Sequence, residues 1–338
     1  FSSILMTTIP AIIAGTKNLI LSSPPNSIGT VSNIILATCE IIKQFNVKLR
    51  LFMIGGAQAI AAMAYGTEQV PKVDKIVGPG NRYVNMAKKE VYGVVGIDGI
   101  YGPTEAIIIA DDSSKPSLIA ADLIAQAEHD AFAVPIVITS SQNLINSIKE
   151  EYEKQIMNLE RKSIIKESIE NCGGIILTKS TTQSIEISNE FAPEHLTLMI
   201  KEPMNFINKI KNAGGIFVGE NSFEVLGDYI AGPSHVMPTS GTARYSSPLS
   251  VYDFIKRISY VNLDKKNAFE LSKYAEEMAK AERLTGHANA SKLRRKYFKE
   301  EEISALKNIL DNTEIKEKDI SSVFTKNRAR DIATELYK

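Results

Sequence analysis

Residues 105–139 have the sequence EAIIIADDSSKPSLIAADLIAQAEHDAFAVPIVIT. Two short runs rich in Ile and Val, 105–110 and 135–139, flank a segment with helical spacing at 116–129. Short apolar runs that alternate with helical segments are typical of parallel strands joined by crossover helices. We therefore predict a strand, a helix and a second strand, which together form one βαβ unit.

The same alternation extends in both directions from this unit. Towards the start of the chain, we predict three strands and three helices: strands at 17–22, 49–54 and 75–77, and helices at 31–45, 57–65 and from about 83. Towards the end, we predict surface helices within 142–171, strands at 174–178 and 215–218, and a helix at 268–284. This pattern favours an α/β fold with two incomplete Rossmann-like domains, 1–103 and 104–245, a small helical C-terminal region, 246–298, and a charged helical extension, 299–338.

The composition is that of an ordinary globular protein. The 338 residues include 39 Lys and Arg and 39 Asp and Glu, so the formal net charge is zero. No basic stripe with interleaved aromatic residues is present, which excludes a nucleic-acid-binding protein. The charge-free stretch 18–39 is interrupted by Pro24, Pro25 and Gly29, so we expect no membrane span.

Two features indicate where the protein works and how much of it is present. Its two cysteines, Cys39 and Cys172, form no CxxC pair, which favours structural thiols in a reducing compartment and hence the cytoplasm. The chain begins at Phe1, with no Met and no charged leader, so we expect no signal peptide and a segment missing upstream.

The four histidines all lie beside polar or turn-forming residues. Helical spacing places Gln126 and His129 on one face, and Asp228 belongs to a glycine-rich loop at 227–235. Together with His287, just after a helix-stopping glycine, these residues offer two imidazoles, a carboxylate and an amide oxygen, a donor set that suits zinc. A histidine beside polar groups is more often a hydrogen-bonded structural residue, so both interpretations stay open at this point.

Glu194 and His195 are adjacent in a loop marked by Pro193. A carboxylate and an imidazole can work as an acid and base pair near neutral pH. The alternative is that the two side chains do not act together, because adjacent loop residues usually point in different directions.

Two glycine segments follow predicted strands, GGAQ at 55–58 and GPGN at 78–81. Each could bring a helix N-terminus to a phosphate group, but tight turns that need positive φ are the commoner reason for such glycines. Neither segment matches GxGxxG with an acidic residue about twenty positions later, so the dinucleotide fingerprint is absent.

Eight segments, in order between residues 1 and 298, resemble the histidinol dehydrogenase family. They are TIPA (8–11), GGAQAIA (55–61), VPKVDKIVGPGN (70–81), QAEH (126–129), PEHL (193–196), GDY (227–229), HVMPT (235–239) and AERLT (281–285). The resemblance implies a zinc-dependent enzyme that oxidises L-histidinol to L-histidine through histidinaldehyde with two NAD, the last step of histidine biosynthesis.

The resemblance also implies roles for particular residues. Zinc would be held by Gln126, His129, Asp228 and His287, and the proton acceptors would be Glu194 and His195. The substrate would contact Thr104, His235 and Glu282, together with His195 and the four zinc residues. NAD would contact Gln58 and Asn81, in the first domain. The family works as a homodimer in which C-terminal helices reach the partner's active site, so Glu282 and His287 would serve the neighbouring subunit.

Three departures from the family pattern bear on function. Thr104 stands where the family usually has Ser, so the hydroxyl is kept but a methyl group is added near the substrate. Family members carry about a domain's worth of chain ahead of the position of Phe1, including a Tyr-containing segment of the NAD pocket, so we expect altered NAD affinity. Residues 299–338 extend past the usual terminus, either as the start of a fused domain or as a dimer-clasping helix pair.

Two alternatives to histidinol oxidation follow from the same residues. A related zinc- and NAD-dependent enzyme could act on another small alcohol, although Glu282 would repel a sulfonated one. An inactive fragment could instead retain the metal site without turnover.

Overall fold

The computed structural model describes residues 1–312. The chain divides into two compact units, one formed by Phe1–Lys256 and one that begins at Arg257. The predicted finer division after residues 103 and 245 stays a prediction. Within the described residues, no helix is both long enough and apolar enough to cross a bilayer.

The first part of the first unit contains two small parallel sheets. Its elements are α1 (Ser2–Ile13), β1 (Asn18–Ser22), α2 (Asn33–Lys43), β2 (Lys48–Phe52), α3 (Gly56–Tyr65), β3 (Lys75–Ile76), α4 (Arg82–Val91) and β4 (Gly96–Ile97). Strand β1 pairs with β2 and β3 pairs with β4. The predicted strands and helices of this part lie within two residues of these elements. Gly56 (φ 71°) and Gly78 (φ 110°) adopt the positive φ expected of tight turns after strands.

The second part of this unit is built on a five-stranded parallel sheet. Its elements are β5 (Glu105–Ala110), α5 (Pro116–Ala127), β6 (Val134–Thr139), α6 (Gln142–Ile156), α7 (Lys162–Asn171), β7 (Gly174–Leu177), α8 (Thr181–Phe191), β8 (His195–Met199), β9 (Gly215–Val218) and α9 (Glu224–Tyr229). The strand order is β7-β6-β5-β8-β9, and every pairing is parallel. The predicted α/β architecture is confirmed.

Strand β5 is buried on both faces, which explains its unbroken apolar sequence. Ile108 packs in a cluster with residues of α5 and α6, whereas Ile107 and Ile109 pack in a second cluster with Ile185 of α8. The sheet is therefore covered by helices on both sides, and its central strand is the centre of the core.

The prediction of a loop around His195 was wrong. His195 is the first residue of β8, where it lies opposite Ala106 of β5 and Gly215 of β9. Helix α8 ends at Phe191, and Ala192 takes a left-handed conformation (φ 57°) just before the proline. Residues 194–200 are all buried, because β8 lies between β5 and β9 in the sheet.

The description of 227–235 as a loop was wrong in its first residues, because Gly227 and Asp228 belong to the short helix α9. A Cβ atom built on Gly227 would lie 2.6 Å from Cε1 of the Phe217 ring. The glycine is thus needed because α9 approaches β9 closely.

The second unit contains an antiparallel pair of helices, α10 (Lys265–Ala281) and α11 (Thr285–Asn312). Buried Glu276 of α10 forms ion pairs with Lys280 and with Arg295 of α11. Residues 299–312 of the predicted extension continue α11, and 313–338 lie outside the described residues.

Candidate active site

A cleft of about 420 Å³ opens where the amino ends of β5 and β8 meet. Residue 104 precedes β5 and His195 begins β8, so both lie at the amino edge of the sheet. Helix α5 follows β5 and returns to the same edge, which brings its last turn to the cleft. Six of the residues singled out in the sequence line it: Thr104, His129, Glu194, His195, Asp228 and His235.

Glu194 and Gln126 share the hydroxyl group of Thr104. The Thr104 Oγ1 lies 2.8 Å from Oε2 of Glu194 and 3.0 Å from Oε1 of Gln126, which is 1% exposed. The backbone N–H of Glu105 also donates to Glu194 Oε2. One hydroxyl proton serves one acceptor, so a protonated Glu194 would donate to Thr104 while Thr104 donates to Gln126.

Burial raises the pKa of Glu194 to about 8, against the opposing hydrogen bonds from Thr104 and the Glu105 backbone. Glu194 is 8% exposed. A carboxyl group with this pKa can take up or release a proton near neutral pH.

His195 is a buried, neutral imidazole. Its Nδ1 lies 3.3 Å from the carbonyl oxygen of Glu105 and 3.3 Å from Oε1 of Glu224. Burial lowers the pKa of His195 to about 3, with smaller contributions in the same direction from His129 and His235. Because a carbonyl oxygen only accepts, the proton resides on Nδ1, and among residues 1–312 the Nε2 atom has no hydrogen-bond partner.

His129 lies beyond the end of α5, which is Ala127, and so not within the predicted helix face. Its Nδ1 donates to the carbonyl oxygens of Ala125, at 3.0 Å, and Gln126, at 3.3 Å. This arrangement leaves Nε2 free, as in metal-bound histidines whose other ring nitrogen is held by a carbonyl. His235 is held in a similar way, because its Nδ1 donates to the carbonyl oxygen of Asp228 at 2.9 Å.

Carboxyl groups are clustered at the cleft: Glu194 and Asp228 line it, and buried carboxyl groups lie close to these two. Burial raises the pKa values of five of them: Glu105, Asp122, Glu194, Glu224 and Asp228. One oxygen of each of three side chains makes no hydrogen bond within residues 1–312: Oε2 of Glu105, Oδ2 of Asp122 and Oε1 of Glu224. Unpaired buried acidic groups are unfavourable, and a bound cation would offset that cost, so the chemistry of these donors fits a metal ion.

Glu224 is the functional candidate that the sequence interpretation missed. Its carboxylate, a nitrogen of His195 and a carboxylate oxygen of Asp228 lie within 4.8 Å of one another, close enough to hold a metal ion. One signal in the sequence could have identified Glu224. It lies four residues before Asp228, which was already a candidate, and residues four apart on a helix share a face.

The remaining predicted residues lie away from this cluster or in the second unit. Gln58 is exposed in the first turn of α3. Asn81 caps α4, where its Oδ1 accepts from the backbone N–H groups of residues 83 and 84, and Pro79 nearby lines the cleft. Glu282 is the C-cap residue that follows α10, and His287 lies in the first turn of α11; both are exposed in this chain.

We expect Gly227→Ala to destabilise the first unit by about 1–3 kcal/mol, since the added methyl group would overlap the Phe217 ring and displace α9. Asp228 would move with α9, so the affinity of the cleft for a metal ion should decrease as well. Urea unfolding and metal analysis measure both effects. Gly174→Ala is the matched control, because a Cβ atom there meets nothing within 4 Å. Equal stability of the two variants would contradict the assigned packing.

The chain is similar over most of its length to histidinol dehydrogenases. A family model described as Histidinol dehydrogenase matches residues 1–295. The histidinol dehydrogenase of Clostridium acetobutylicum is 49% identical over 293 residues, which cover 87% of this chain and 67% of that protein. The one from Thermus thermophilus is 49% identical over 294 residues, which cover 87% of this chain and 69% of that protein.

Solved structures give the same result. The crystal structure of histidinol dehydrogenase from Elizabethkingia anophelis has a TM-score of 0.83 and 40% identity, and the match covers 88% of this chain and 68% of that one. An acetylating aldehyde dehydrogenase from Geobacillus thermoglucosidasius, with a TM-score of 0.51 and 10% identity, shares the fold alone. With the profile, the relatives and the superposed fold in agreement, the chain belongs to the histidinol dehydrogenase family of oxidoreductases.

Proposed function

We propose that this chain oxidises L-histidinol to L-histidine by way of histidinaldehyde, with two NAD as hydride acceptors and one zinc ion per subunit. One observation carries the proposal: a neutral, buried His195 and a Glu194 with a pKa of about 8 lie side by side in one cleft. His195 offers an unprotonated Nε2 to the proton of an alcohol, and Glu194, in its ionised form, can accept a proton from a water molecule. We assign the reaction to the cytoplasm, as the last step of histidine biosynthesis.

Gln126, His129, Asp228 and His287 would hold the zinc ion. Two imidazoles, a carboxylate and an amide oxygen are a suitable donor set, and the free Nε2 of His129 and the buried carboxyl groups support it. Zinc, when bound, anchors the imidazole and amino groups of the substrate, and NAD, when bound, accepts the hydride.

His195 would act in the first oxidation, in which the substrate alcohol loses a proton and a hydride. Its Nε2 carries the free lone pair and would accept the hydroxyl proton. Glu194 would act in the second oxidation, where its carboxylate takes a proton from the water that adds to the aldehyde carbon. The hydroxyl of Thr104 and the N–H of Glu105 hold the Glu194 side chain in place for that step.

Substrate recognition would use further residues. Thr104 and His235 line the cleft and would contact histidinol, and Glu282 would pair with its ammonium group through a charge-assisted bond. We propose a homodimer in which Glu282 and His287 complete the neighbouring site. Gln58 and Asn81 would contact NAD, the latter through its amide nitrogen because its oxygen caps α4.

We expect the zinc-loaded chain to form about two NADH for each L-histidinol consumed, since both oxidations transfer a hydride. The measurement is NADH absorbance with limiting histidinol, before and after treatment with a chelator and again after zinc is restored. A sulfonated alcohol of similar size serves as the comparison substrate.

Two results would contradict this proposal in different ways. Oxidation of the sulfonated alcohol without oxidation of histidinol would assign the chain to a related substrate. Zinc binding without oxidation of either alcohol would indicate a metal-binding fragment that lacks turnover.

A further inference from the structure

Glu224 is a buried carboxylate that the proposed reaction leaves without a role. Glu224 is 2% exposed, and its Oε1 lies 3.3 Å from Nδ1 of His195. His195 and Asp228 line the cleft. Glu224 approaches the His195 ring at Nδ1.

We propose that Glu224 is a positioning residue for His195: it accepts a hydrogen bond from Nδ1–H, keeps Nε2 as the basic nitrogen, and stabilises the imidazolium formed when Nε2 takes a proton. The inference rests on the proposed role of His195 and adds to it a residue outside the predicted site.

The contacts of the ring support this assignment. Nδ1 faces two acceptors at 3.3 Å, the Glu105 carbonyl oxygen and Glu224 Oε1, and Glu194 Oε2 lies farther away, at 3.6 Å. Nε2 has no partner among the described residues. The hydrogen bond in this structure goes to the carbonyl oxygen, and Glu224 Oε1 makes none within residues 1–312. Its capacity as an acceptor is therefore free for Nδ1–H after a small rotation of either side chain.

The electrostatic need for such a partner follows from burial. His195 is 3% exposed, and a charged imidazole there would be costly without a nearby opposite charge. A carbonyl oxygen offers only a dipole, whereas an ionised carboxyl group offers a full charge and a stronger hydrogen bond. Burial raises the pKa of Glu224, so an imidazolium at His195 is the positive charge that would favour its ionised form. Glu224 is thus placed to favour the protonated form of His195 at the moment it accepts a proton.

Helix α9 delivers this carboxylate together with two other features of the site. Glu224, Gly227 and Asp228 are spaced to share one face of the helix. Gly227 makes room for the Phe217 ring, which lies 5.9 Å from the His195 ring, centroid to centroid. The imidazole therefore has the Phe217 ring beside it and Glu224 Oε1 3.3 Å from its Nδ1.

A metal-ligand role is the competing explanation, because Glu224, His195 and Asp228 could together hold an ion. The two explanations differ in what the removal of the charge does. A ligand role predicts loss of zinc, whereas a positioning role predicts slow turnover with zinc retained.

The test compares Glu224→Gln, which keeps the shape, with Glu224→Asp, which keeps the charge. We expect Glu224→Gln to lower kcat by about 10–100-fold, the range for partners that orient a site residue, with KM for histidinol and zinc content unchanged. Glu224→Asp should retain more of kcat than Glu224→Gln, although it is smaller. Glu220→Gln is the matched control, because Glu220 pairs with Lys115 at the other end of the sheet.

A readout independent of turnover is the ¹⁵N NMR spectrum of His195 in the metal-free wild-type chain. We expect the Nδ1–H tautomer there. In Glu224→Gln we expect a mixture of tautomers, because the new amide group can donate to Nδ1 in competition with the Glu105 carbonyl oxygen, which accepts from it. Loss of zinc from Glu224→Gln, an unchanged kcat, a better kcat in Glu224→Gln than in Glu224→Asp, or the Nε2–H tautomer in the wild type would each overturn the proposal. If the wild-type chain oxidises no histidinol, the proposed function fails, and the tautomer still tests the contact with Glu224.

Discussion

We expect His195→Gln to lower kcat for L-histidinol by about 10²–10⁴-fold, the usual contribution of a positioned general base. Glutamine fills similar space and can still donate to the Glu105 carbonyl oxygen, but it has no basic nitrogen. Both oxidations should slow, because the first step supplies the aldehyde for the second. Steady-state NADH formation measures the effect, and metal analysis should find zinc at the wild-type level.

Two other outcomes of the His195→Gln experiment would contradict this role. A variant that keeps more than about a tenth of wild-type kcat would remove His195 from the role of proton acceptor, given the size of effect expected of such a base. Loss of zinc along with activity would instead make His195 a metal ligand, as its place near Glu224 and Asp228 permits.

Glu194→Gln should have a comparably large effect confined to the second oxidation. The glutamine oxygen can still accept from Thr104 and from the Glu105 N–H, so the geometry of the cleft is kept. It cannot take a proton from water, and we expect the aldehyde step to slow by about 10²–10⁴-fold. Rapid mixing with histidinol should then show one fast NADH per site, followed by a slow phase.

The control for this experiment is Glu186→Gln, which changes an exposed carboxylate on α8. It should show both phases at wild-type rates. An equal loss of both phases in Glu194→Gln would indicate that the carboxyl group serves the first proton transfer too, and the division of labour between Glu194 and His195 would be wrong.

The predicted elements that matched the structure were those whose signal is local. Strand β5 is buried on both faces, so all six of its positions are buried and an unbroken apolar run marks it. Strand β8 has an equally buried sequence, but Glu194 and a proline stand directly before it and suggested a loop. Its neighbours in the sheet, β5 and β9, are distant in sequence, and only their pairing fixes His195 in a strand.

The candidate site shows the same contrast. Thr104, His129 and Glu194, from three separate segments, meet in the cleft because parallel strands begin at one edge and α5 returns to it, a result that follows from topology. Glu224 and Asp122 could not be recognised in this way. Acidic residues on helices are usually exposed, and the burial of these two depends on how α9 and α5 pack, which no local pattern records.

The cleft lies at the amino edge of the sheet, so the residues assigned to the reaction are remote from its carboxyl edge. The loops at the carboxyl edge are held by contacts outside the cleft. Examples are the hydrogen bond from the Lys201 backbone N–H to the Asp111 carboxylate and the ion pair between Lys115 and Glu220. Engineers could therefore graft new loops or recognition peptides onto the carboxyl edge, and tune expression or thermal tolerance there, while the reacting groups stay untouched.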